Sequence, residues 1–165
     1  MRILVMLTAG AQNRRRQPLG LDQVVEPYYV LHDAGAEVVV ASVQGGYPPF
    51  HGARKRSACA LAALQRFHDD RRTRDAISDT LKFAQIYQED FDGGICIGAL
   101  DEEMVLADAR TALDLIAALL AAGKPVAVVP GDLLPAAWGP LEGLLIIGDR
   151  ACSPPRAAKA LLAAL

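Results

Sequence analysis

Short aliphatic runs alternate along this chain with stretches whose apolar positions recur every three or four residues. Arg2 to Thr8 is continuously apolar rather than alternating, the pattern of a strand buried on both faces. Leu21, Val24, Val25, Tyr28 and Leu31 then fall at helical spacing, with Gly35 placed to close the helix and Pro27 inside it, where it should bend the axis. Ala36 to Ser42 reads as a second buried strand, ended by Gly45-Gly46. Gly93 to Gly98, apolar at Ile95-Cys96-Ile97, is a third.

Farther on, Thr111 to Ala122 is an alanine- and leucine-rich helix capped by Gly123. Lys124-Pro125 leads into the short strand Val126 to Val129, Leu144 to Ile147 is the last strand, and Pro154 to Leu165 closes the chain as a helix with proline in its first turn. The region 47–91 is looser. Pro48-Pro49 opens a loop, Ala58 to Phe67 is helical, and Asp75 to Phe83 is read as a second helix. We take 47–91 as an insertion at one edge of the sheet, and its charged run, Arg66 to Arg74, as a solvated face.

Strands alternating with helices predict one α/β domain over residues 1–165, a flavodoxin-like sandwich of a mostly parallel sheet with helices on both faces. In such folds ligands bind beyond the carboxyl ends of the strands. That directs attention to Thr8 to Gly10, Gly98 to Asp101, Pro130 to Asp132 and Gly148 to Arg150.

Composition narrows the function. Of 165 residues, 52% are hydrophobic and 22% charged, enough for a sizeable core, and a net charge of −2 gives no footprint for nucleic acid or a membrane surface. The apolar N-terminus is too short for a spanning helix and lacks a cleavage site, which predicts a cytoplasmic protein. Cys59, Cys96 and Cys152 are too far apart in sequence for a disulfide framework or metal spacing, and His32, His51 and His68 show no ligand pattern, so neither metal nor cofactor is expected. Gly10 lacks the glycine spacing of a phosphate-binding loop.

One set of signatures runs through nearly the whole chain. It comprises Val24-Val25-Glu26-Pro27-Tyr28-Tyr29-Val30 with Asp33-Ala34-Gly35-Ala36-Glu37-Val38, then Ala41-Ser42, Gly45-Gly46 and Pro48-Pro49, then Glu89-Asp90-Phe91-Asp92 before the third strand, and Ala122-Gly123-Lys124-Pro125-Val126-Ala127. In this order the chain resembles the PfpI family of class I glutamine-amidotransferase-like proteins, nearest its glyoxalase III and chaperone branch. The resemblance implies a dimer-forming α/β sandwich with a cysteine on a strained strand-to-helix elbow. A glutamate of the first helix would stabilise the thiolate, a histidine would follow the cysteine, and a glycine pair after the third strand would offer backbone N–H groups to an oxyanion.

Here the sequence departs from that pattern at every chemical position. The elbow position after Val126 to Val129 is Pro130, with neither nucleophile nor N–H, and Gly131 stands where the family has histidine. The glutamate position, four before Pro27, is Gln23, whose amide is no useful proton acceptor near neutral pH. The family's proline-glycine-glycine-histidine-glycine turn is replaced by Ile97-Gly98-Ala99-Leu100-Asp101. Only fourteen positions lead from Pro130 to Leu144, so the segment after Asp132 is shortened relative to the family, which there supplies another strand and the acid that orients the histidine.

Other polar groups remain at the expected mouth. Asp132 is either a carboxylate available as base or cation ligand, or the N-cap of a turn through Leu133 and Leu134. Asp22 and Gln23 face the same mouth by analogy, although Asp22 equally suits the first turn of a helix. Asp101-Glu102-Glu103 most simply starts a helix, and Arg14-Arg15-Arg16 is either a solvated loop or a strap over an anionic ligand. Cys96, inside an aliphatic strand, reads as a small buried hydrophobe. The candidate pocket is thus Asp22, Gln23, Gly98, Ala99, Asp101, Pro130 and Asp132. The expected function is a catalytically degenerate PfpI-like homodimer that binds a small molecule or a protein partner. The alternative is an enzyme with new acid–base chemistry in the old cleft, and glyoxalase or deglycase activity comes last.

Overall fold

A computed structural model describes residues 1–8, 19–48, 50, 57–98, 108–129, 144–147 and 153–165. The elements run β1 (Arg2–Leu7), α1 (Leu21–Asp33), β2 (Glu37–Ser42), α2 (Ala58–Asp69), α3 (Arg71–Ser78), β3 (Leu81–Lys82), two 3₁₀ turns (Phe83–Gln85 and Gln88–Asp90), β4 (Gly93–Ile97), α4 (Asp108–Ala121), β5 (Val126–Val129), β6 (Leu145–Ile147) and α5 (Pro154–Ala164). The six strands among the described residues form one sheet in the order β3-β2-β1-β4-β5-β6, every pairing parallel. This is the predicted flavodoxin-like α/β fold.

The unbroken aliphatic runs are explained by helices on both sides. Successive strand residues point to opposite faces, so each run feeds two cores. Ile3, Val5, Leu7, Ile95, Ile97, Ala127 and Val129 pack with Val24, Val25, Tyr28 and Leu31 of α1 and Ala157, Ala158 and Leu161 of α5. Leu4, Met6, Cys96, Val126 and Val128 pack on the other face with Ile116, Leu119 and Leu120 of α4 and with Phe83 and Phe91. Helix α1 runs on through Pro27 and closes at Gly35, whose N–H donates to the His32 carbonyl at 2.9 Å.

The region 47–91 differs from the sequence reading in two ways. Instead of a helix over Asp75 to Phe83, α3 begins four residues earlier, at Arg71. Asp70 caps it, accepting from the Thr73 backbone N–H at 3.2 Å and from its hydroxyl at 2.6 Å. Leu81–Lys82 then forms a short edge strand beside Ala41 and Ser42 of β2. A buried relay fixes that edge: the Ser42 and Thr80 hydroxyls lie 2.7 Å apart, and Thr80 Oγ1 donates to the Gly46 carbonyl at 2.7 Å.

The charged run is also more than a solvated face. Arg66 lies 3.9 Å over the Tyr29 ring and holds both Asp33 oxygens at 2.7 Å, joining α2 to α1. Tyr29 donates its hydroxyl to Asp70 at 3.2 Å, tying in the start of α3. Arg71 and Asp75, by contrast, make only an exposed pair at 3.6 Å along one helix.

Candidate functional site at the carboxyl ends of the strands

From β1 the chain passes to β2 on one side of the sheet, while β4, β5 and β6 build outward on the other. The carboxyl ends of β1 and β4 therefore flank the point where strand order reverses, the usual ligand crevice of an open α/β sheet. Thr8 and Gly98 stand there. Thr8 is buried; its N–H donates to the Ile97 carbonyl at 3.1 Å, and its hydroxyl reaches the same oxygen at 3.5 Å. Gly98 carries the ladder to β5 by donating to the Val129 carbonyl at 3.0 Å. Its φ of +120° is a conformation that residues with a Cβ rarely adopt, which accounts for glycine at this exit from the sheet.

Helix α1 brings its amino end toward the same edge, because it runs back against the parallel strands that it connects. Its start is unusual. Gly20 occupies the N-cap with no side chain to offer, and Gln23 supplies the missing acceptor: Gln23 Oε1 accepts from the Gly20 N–H at 3.0 Å, and the Gln23 N–H donates to the Gly20 carbonyl at 3.0 Å. The Gln23 amide is thus engaged in starting its own helix. Asp22 is half-buried, and its Oδ1 is buried without a hydrogen-bond partner. It folds back on the cap, so a Cβ at Gly20 would meet Asp22 Oδ1 at 2.5 Å and the carboxylate would have to turn away.

One turn farther along α1, burial pushes the Glu26 carboxyl above its usual range; the Asp22 charge adds to this and Lys159 of α5 opposes it. Sequence reasoning missed Glu26 as a group with a shifted pKa and Gly20 as the N-cap. The spacing of Asp22 and Glu26 on one helical face was the available signal for the first.

Among the described residues two thiols are present. Cys96 of β4 is fully buried, and its thiol is pushed up to about 12 by burial, partly offset by a hydrogen bond with Thr8. At neutral pH it holds its proton and faces the α4 core, as the sequence reading expected of a buried hydrophobe. Cys59 is exposed near the start of α2. The structure brings Asp22, Gln23 and Gly98 to the carboxyl edge. Ala99, Asp101, Pro130, Gly131 and Asp132 lie outside the described residues, as do Arg14-Arg15-Arg16 and Cys152. Val129, the residue before Pro130, is extended as the last residue of β5. Among the described residues no group of three His, Cys, Asp or Glu stands ready to hold a metal, and no helix is long and apolar enough to cross a membrane.

Sheet order, two helical layers and a switch point between β1 and β4 define a flavodoxin-like scaffold. Solved structures of the PfpI and amidotransferase-like type share this fold. Glyoxalase III from Candida albicans aligns over 99% of this chain and 97% of its own, with TM-score 0.64 and 12% identity. A ThiJ/PfpI domain protein from Brachyspira murdochii aligns over 99% and 95%, with TM-score 0.61 and 13% identity. Rapid Encystment Protein 24 kDa from Francisella tularensis matches 78% of this chain at TM-score 0.54 and 18% identity, and there the match spans only 58% of the Francisella protein. No family model and no curated protein sequence matches the chain.

Proposed function

We propose that this chain is a member of the PfpI branch of the class I glutamine-amidotransferase-like proteins that has given up cysteine-nucleophile catalysis. It binds a small molecule at the carboxyl edge of its sheet, in the cytoplasm, as a homodimer. One observation carries the reading: β5 ends at Val129 and the next residue is Pro130, which has no nucleophile and no N–H for an oxyanion. Two further facts support it. The sheet's own thiol, Cys96, is buried and protonated, and the Gln23 amide is occupied by Gly20. The homodimer rests on the apolar residues Leu133, Leu134, Trp138, Leu141 and Leu144, of which Leu144 is 55% exposed.

A second reading, acid–base chemistry in the same cleft, draws on the unpaired Asp22 Oδ1. Ligand-induced stabilisation tests the binder. A panel of small carbonyl compounds, carboxylic acids and amines is screened by thermal shift against wild type and Asp22→Ala. A ligand at a hundredfold over its Kd adds about 2.7 kcal/mol of stability. We expect such a shift for wild type and its reduction in the variant. An equal shift in both proteins would place binding elsewhere, and conversion of the ligand during the assay would favour acid–base chemistry.

A further inference from the structure

We draw no further inference here: the strongest candidate, the Asp22 carboxylate at the amino end of α1 with Glu26 one turn on, is an acidic pair at a helix start that belongs to the site already described, and nothing else in the structure shows what it would bind.

Discussion

At the amino ends of the strands, polar groups are paired across elements. The Arg2 N–H donates to Asp92 at 2.7 Å, the Met1 ammonium stands 3.9 Å from the same carboxylate, and the Arg2 side chain reaches Glu37 at 3.1 Å and Phe91 at 5.3 Å. Lys124 closes the next strand start by donating to the Gln88 carbonyl at 2.7 Å. At the carboxyl ends, the described residues offer a different inventory: a glycine with φ of +120°, an unpaired carboxylate oxygen, and a second carboxyl shifted upward. A buried side-chain atom without a hydrogen bond occurs at each end, Arg2 Nε at one and Asp22 Oδ1 at the other, so the contrast lies in the ion pairs. Among the described residues, cross-element ion pairs thus gather at the amino ends, while hydroxyl hydrogen bonds from Ser42 through Thr80 to Gly46 hold the β2–β3 edge at the other.

Substitutions at the two ends should separate these roles. The largest effect belongs to Gly98→Ala, which forces a Cβ into the positive-φ region and should cost about 1–3 kcal/mol of stability. Urea unfolding measures it; a loss under a few tenths of a kcal/mol would mean that the exit from β4 relaxes freely. Asp92→Ala removes an exposed pairing at the other end and should cost about 1 kcal/mol or less. It should leave ligand-induced stabilisation unchanged, and lost binding in this variant would erase the division between the ends.

The smallest effect is electrostatic. The folded-state pKa of Glu26 lies above its unfolded value, so between the two the folded protein binds more protons. Its ionisation therefore costs stability as pH rises through that window, and the cost persists above it. Glu26→Gln should be slightly more stable than wild type at pH 7, with the advantage shrinking as pH falls below the usual glutamate range. Thermal unfolding at pH 7 and pH 4 reads this directly. An unchanged or lower Tm at pH 7 would mean that Lys159 outweighs both burial and Asp22.

The sequence was most legible where burial is two-sided. Continuous runs such as Ile3 to Leu7 and Val126 to Val129 located strands, because only a sheet covered on both faces makes every position apolar. Leu81–Lys82 escaped notice, since two residues carry no periodicity and edge pairing is decided by the Gly46–Thr80 bridge. The misplaced start of α3 has a local cause: the Asp70 cap outranks the weak apolar pattern around Ile77. Arg66 looked like one charge in a solvated run because its partners, Tyr29 and Asp33, are more than thirty positions away. At the start of α1, the sequence singled out Gln23 but gave no sign of that amide's engagement by Gly20. A capping glutamine behind a glycine leaves no acceptor side chain at the cap to announce it.

The central claim, that cysteine-nucleophile chemistry is gone, is tested most directly by methylglyoxal turnover. Lactate formation is followed for wild type and for Cys59→Ala, Cys96→Ala and Cys152→Ala, each checked for folding by far-UV circular dichroism. With proline rather than cysteine next in sequence after β5 and the Cys96 thiol held protonated in the core, all four proteins should match the uncatalysed rate. Turnover by wild type that disappears in one cysteine variant would show that a displaced thiol has taken over, and would contradict the account.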